Sequence, residues 1–165
     1  MLFRSAGDEQ WSPQINIGAA VLIPEAYVSD LELRLGLYRR LSGLETQDQV
    51  EGFAAEMIDR FGSLPEEVEH LMQIVAIKLL CRRAGIASVD AGPKGVVLRF
   101  RNDTFANPGG LVQFIGAQGS RAKLRHDHRL VLMRDWDSAE ERLKGSSVLL
   151  RQLARIADEA ATAAA

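Results

Sequence analysis

Three places in this 165-residue chain combine side-chain types that could support chemistry, and each fails on spacing. His126-Asp127-His128 sets two imidazoles around an acid, but residues at i and i+2 hold a metal only with a further ligand from a distant segment. The one other histidine, His70, lies mid-helix among Glu66, Glu67 and Glu69, and Arg125 and Arg129 flank the triplet, which therefore reads as a polar hairpin turn. Cys81 precedes Arg82 and Arg83, which favour a thiolate, yet it stands near the end of an apolar helix, the setting of a buried structural cysteine. "NPGGL" at 107–111 has no lysine or hydroxyl after its glycines. It suits a helix cap better than a phosphate cradle. One cysteine excludes an internal disulfide and any multi-cysteine zinc site. No catalytic group, metal or cofactor is expected in this chain.

The charges are more informative than the histidines. Glu45 to His70 holds eight acids (Glu45, Asp48, Glu51, Glu56, Asp59, Glu66, Glu67, Glu69) against the single base Arg60. Lys78 to Arg101 holds six bases and one acid, and Arg121 to Arg134 five bases and one acid. A net charge of only −2 thus conceals an acidic end and a basic end. Two readings stand beside each other. The runs are solvated helix and strand faces, or they are surfaces: an acidic helix corner that meets a basic protein, or a basic sheet face that meets nucleic acid through Lys94, Arg99, Arg101, Arg121, Lys123 and Arg125. Single strands also need stacking platforms, and only Phe100 and Phe105 lie near those bases.

The elements that must position these residues follow from periodicity. The length and a composition 47% hydrophobic and 25% charged suit one domain, expected over 14–160, with a disordered leader or linker at 1–13 and a frayed tail at 161–165. No apolar run is long enough to span a bilayer, and the chain is expected in the cytoplasm, without a membrane. Ile15 to Ile23 reads as an extended segment closed by Pro24. Asp30 caps a helix whose stripe is Leu31, Leu35, Tyr38 and Leu41, widened by Leu33 and Leu37. Thr46 and Gln49 box the start of the next helix, with Val50, Phe53, Ala54, Met57, Ile58 and Phe61 on its apolar side and Gly62 as its stop. Ser63 and Glu66 form a second box, Pro65 sits in the first turn, and a long apolar helix runs to Gly85.

After Gly85 the period shifts from 3.6 towards 2. Ile86–Val89 and Gly95–Arg101 pair around "DAGPKG", and Arg121–Arg125 pairs with Arg129–Met133 around "HDH". A short helix capped by Asn107 and Pro108 lies between the two pairs, and Ser138 with Glu141 starts a final helix in which Gly145 is a weak point. The fold class is α+β: N-terminal helices packed on a small, largely antiparallel sheet, with a C-terminal helix.

"LIPEAYVSD", "LRLGLYRRL" and "EMIDRFGSLPEEVE", followed by "VDAGPKGVVLRF", resemble the C-terminal (TRCF) domain of the bacterial transcription-repair coupling factors, the Mfd family. The resemblance runs from about Ile15 to the last helix and departs from the family pattern at Ala26, where an acid is usual. It implies a module of a larger ATP-driven DNA translocase that displaces stalled RNA polymerase and recruits the repair protein UvrA. The motor would lie upstream, so the domain itself would be no enzyme and would meet DNA only through that motor. In such proteins this domain packs against an N-terminal UvrB-like module, covers its UvrA-binding surface and restrains the resting protein. Glu56 and Asp59 match the acidic positions of the family's E-x-x-D-R-F-G motif, which face arginines of that module. Three residues apart on one helix, they project to one side. Arg60 either joins this clamp or pairs with a carboxylate of its own domain, and Arg34 and Tyr38 either brace the helices or add a secondary contact.

Overall fold

The computed structural model describes residues 11–164; most of the expected leader falls outside them. Five strands form one sheet: β1 (Gln14–Asn16), β2 (Ile86–Gly92), β3 (Gly95–Phe100), β4 (Ala122–Leu124) and β5 (Arg129–Met133), in the order β1-β2-β3-β5-β4. Every pairing is antiparallel except β1 with β2. The helices are α1 (Leu31–Ser42), α2 (Gln47–Phe61), α3 (Glu66–Ala84), α4 (Pro108–Gln118) and α5 (Ala139–Ala164). This is the α+β class, with helices first and a helix last.

Most helix starts are set by side chains next to them in sequence. Asp30 accepts from Glu32 N, Thr46 from Gln49 N, and Asn107 from Gly110 N. The Ser138–Glu141 box is reciprocal: Glu141 N donates to Ser138 Oγ, and Ser138 N to Glu141 Oε1. At α3 the expected Ser63–Glu66 box is replaced. The helix begins at Glu66 with Pro65 as its cap residue and no side-chain cap hydrogen bond, leaving Glu66, Glu67 and Glu69 in the first turn to offset the helix dipole. Gly85 ends α3 at φ +72°, a conformation that favours glycine.

Two further expectations are corrected. The extended segment at Ile15–Ile23 contracts to the three residues of β1; Gly18, at φ +73°, turns the chain away, and Ile17 and Ile23 are buried as loop anchors. On α1 the buried residues are Leu37 and Leu41, while Leu31 and Leu35 face solvent at 58% and 45% exposure. Leu33 and Leu37, expected only to widen the stripe, thus lie nearer its centre, while Tyr38 and Leu41 keep their expected places on the packed side. The last helix runs from Ala139 to Ala164.

Two apolar cores meet on α3. Val68 and Met72, in its first half, pack with Ile23, Val28, Leu37, Leu41, Val50, Phe53 and Met57 of the α1–α2 layer. Ile77, Cys81 and Ala84, in its second half, join the inner face of the sheet and α4 and α5. This position between the cores accounts for the middle of α3, residues 71–81, being mostly apolar and at least partly buried on every side. His70, at the crossover, is buried, and its Nε2 lies 3.2 Å from Glu140 Oε2 on α5. Trp136, just ahead of α5, lies so close over Gly145 of that helix that a Cβ there would collide with the indole. The residue expected to weaken the helix is thus a packing requirement.

Candidate functional site

The acidic corner joins α2 to α3. Gly62 stops α2 at φ +92°, its N–H donating to Ile58 O at 2.9 Å. Tyr27 reaches in from the segment before α1, its hydroxyl 2.7 Å from Gly62 O and 3.2 Å from Met57 O, where the last turn of a helix leaves carbonyls without partners. The Tyr27 ring tilts against Phe61 at 5.8 Å between centroids. The corner is thus held from outside by a tyrosine 35 residues away, in addition to the local glycine and proline.

Glu56 sits at the centre of this surface. Arg40, from the last turn of α1, forks onto it: Nη1 to Oε2 and Nη2 to Oε1, both at 2.7 Å. Arg60, one turn on, adds Nη1 to Oε2 at 3.0 Å. Each guanidinium lies over a ring, Arg40 over Phe53 at 4.8 Å and Arg60 over Phe61 at 4.9 Å. The hydrogen bonds from Arg40 and then Arg60 pull the Glu56 carboxyl down to about 2, and the bonding to Glu56 raises Arg40. Asp59 differs. It is exposed in the last turn of α2, where the helix dipole disfavours a carboxylate, and has no hydrogen bond or ion pair among the described residues. Ile58 beside it is 49% exposed, so it leaves the apolar stripe in which it was expected.

Arg60 therefore pairs with a carboxylate of its own domain. Arg34 donates from Nη1 to Val28 O at 2.8 Å and Ser29 O at 3.1 Å, and Tyr38 accepts from Ile23 N at 2.7 Å. Both brace the 23–29 segment that carries Tyr27. Arg40 and Tyr27 were not singled out by the spacing, and Phe53 was placed only as a core residue. The signal for Arg40 was its place in the last turn of a helix joined by a short loop to an antiparallel-looking successor rich in acids, which puts the two faces within reach.

Comparison with known proteins places this geometry in a family. The TRCF domain model matches residues 17–111, more than half of the chain. The chain belongs to the TRCF domain family. Among its relatives is the transcription-repair-coupling factor of Rickettsia bellii, 43% identical over 130 residues, which are 78% of this chain and 11% of that protein. The transcription-repair-coupling factor of Escherichia coli is 26% identical over 140 residues, 85% of this chain and 12% of its own length. The chain thus spans little more than a tenth of these relatives. A crystal structure of the C-terminal domain of transcription-repair coupling factor superposes with a TM-score of 0.71 at 15% identity, covering 92% of this chain and 98% of that one. That likeness shows a shared fold.

The other chemical candidates of the TRCF domain are structural. Asp127 joins Arg125 at 3.1 Å and Arg129 at 3.6 Å, and accepts from Arg129 N, tying the β4–β5 turn; His126 and His128 are exposed. Among the described residues no three His, Cys, Asp or Glu side chains come together in a group that could hold a metal. Cys81 is fully buried, and burial pushes its thiol up to about 12. Gly110 lies where a Cβ would meet Asn107 and Ile156, and Asn107 Nδ2 donates to Ile156 O at 3.0 Å, so Gly110 serves helix packing. Of the basic residues, Arg99 stands directly opposite Arg129 across the β3–β5 ladder on the sheet's outer face. Lys123 shares that face through its pairing with Val131. Arg101 stacks instead on Trp11 at 4.5 Å, Lys94 lies in the β2–β3 turn, and Arg121 and Arg125 sit at the two ends of β4. Phe100 is 4% exposed and stacks on Phe105, so it is no platform for bases. No helix among the described residues is long and apolar enough to cross a membrane.

Proposed function

We propose that this TRCF domain is a non-catalytic regulatory module of a transcription-repair coupling factor. It docks on the UvrB-like module at the N-terminus of the same protein, masks the surface that binds UvrA, and restrains the ATP-driven translocase until RNA polymerase is engaged. The observation that carries this reading is Asp59. An exposed carboxylate in the last turn of a helix, where the dipole disfavours it, with no hydrogen bond or ion pair among the described residues and an exposed isoleucine beside it, is open to a basic partner. A guanidinium from another module would relieve that position.

The test mixes this domain with the UvrB-like module and measures their affinity. Asp59→Arg should weaken docking by about tenfold or more, since it replaces an attraction with a like-charge contact. In the full-length protein the same change should raise UvrA capture and basal ATPase together. Unchanged docking and unchanged UvrA capture in Asp59→Arg would remove the reading. A second reading, nucleic acid on the outer sheet face, has in its favour that Arg99, Lys123 and Arg129 share that face, although Arg129 also pairs with Asp127. Retention of the domain on DNA that falls steeply with salt would support it.

A further inference from the structure

We infer that Arg40 is an internal competitor for the docking surface: it occupies on Glu56 the position that a partner's guanidinium would take, so docking proceeds by exchange of one arginine for another. This rests on the docking reading above and adds to it a residue and a mode of regulation. A carboxylate offers about four lone-pair sites. Arg40 uses two and Arg60 a third, so Glu56 in the undocked domain has room for little more. The set Arg40, Glu56 and Arg60 also carries a net charge of +1 (two guanidiniums, one carboxylate), and Asp59 beside it brings the end of α2 to neutrality, with the carboxylates of the first turn of α3 beyond it. At the end of α2 an approaching basic surface therefore finds Asp59 without a hydrogen bond or ion pair among the described residues, and Glu56 already satisfied.

Geometry identifies which arginine yields. Arg60 makes a single bond to Oε2 and belongs to the same helix one turn away, so α2 itself holds it beside Glu56. Arg40 comes from a different helix, 16 residues away, and takes both oxygens in the fork-to-fork arrangement that an arginine from another molecule would use. Its side chain is 49% exposed, so solvent and partner can reach it. Its guanidinium lies over Phe53, a buried ring that remains beneath it once the carboxylate is gone. Replacing Arg40 by an incoming arginine then trades one bidentate pair for another of similar strength. Glu56 contributes fit with little net affinity, Asp59 contributes the new pair, and the docked state can be released by a modest competing contact.

The experiment measures affinity of the domain for the UvrB-like module, by titration calorimetry, for the natural sequence, Arg40→Gln, Glu56→Gln, their double variant and Asp59→Asn. Removing Arg40 should tighten docking by about two- to fivefold, the range of an exposed bidentate pair, and steepen its salt dependence. In the Glu56→Gln background the same removal should leave affinity unchanged, because the effect passes through Glu56. Weaker docking in Arg40→Gln, or docking within about 1.5-fold of the natural sequence while Asp59→Asn weakens it, overturns the competitor role and leaves the docking reading standing. Loss of any effect from both Asp59→Asn and Glu56→Gln overturns both. If Arg40→Gln fails to fold, as read by its thermal melt, Arg40→Lys keeps the charge and the stem while losing the fork, and should tighten docking in the same direction by less; weaker or unchanged docking there overturns the role equally.

Discussion

Two carboxylates in this domain are each held between two arginines: Glu56 at the helix corner and Asp127 at the β4–β5 turn. The arginines at Asp127 lie two residues to either side in sequence, at 3.1 and 3.6 Å, and its other oxygen accepts from the backbone at Arg129. It organises its own turn and nothing further away. Glu56 draws one arginine from α1 and one from α2, all three bonds at 3.0 Å or less, with each guanidinium lying on an aromatic ring. The same chemical triplet therefore does local work in one place and joins two helices in the other. Only the second can be coupled to a partner, because only there does releasing an arginine alter a tertiary contact.

The largest expected effect tests whether the corner depends on the core below it. Phe53 is 3% exposed and supports Arg40, so Phe53→Ala should destabilise the domain by about 3–5 kcal/mol in denaturant unfolding. In the folded fraction it should also free Arg40 to wander. Among the described residues neither Arg125 nor Arg129 lies over a ring, so the turn has no equivalent position. Next in size is a titration. With its carboxyl at about 2, Glu56 contributes its ion pairs fully above the ordinary carboxylate range and loses them as pH falls towards 2. Carboxyl-carbon NMR should show Arg40→Gln moving Glu56 upwards, since Arg40 is the largest cause of its depression, and Arg60→Gln moving it less. Equal shifts from the two variants would erase the distinction between the yielding and the resident arginine.

How much of this was legible beforehand depended on distance along the chain. The caps at Asp30, Thr46, Asn107 and Ser138, the stop at Gly85, and the alternation of Val96, Leu98 and Phe100 are local, and the α+β class follows from them. The Ser63 box was not found because Pro65, with its fixed φ, takes the cap position two residues later. On α1 two leucine lines were available, and tertiary packing against α2 and Tyr38's bond to Ile23 N chose the one through Leu37. The parallel pairing of β1 joins Gln14 to Ser88, a register that a three-residue strand cannot announce. At the candidate site the acids were visible as acids. That one of them is already satisfied was not, because Arg40 reaches Glu56 only through the register of two packed helices.

The smallest effect closes the comparison. Asp127→Asn keeps an oxygen able to accept from Arg129 N and loses only two exposed ion pairs, so its stability should stay within about 0.5 kcal/mol of the natural sequence. The turn also holds His128 at φ +65°, which backbone bonds from His128 N to Arg125 O and from Arg125 N to Arg129 O support without the aspartate. Docking to the UvrB-like module should be unaffected as well. If Asp127→Asn altered docking as much as Arg40→Gln, the basic end would belong to the interface too, and the division between a local carboxylate and a tertiary one would fail where the two are chemically most alike.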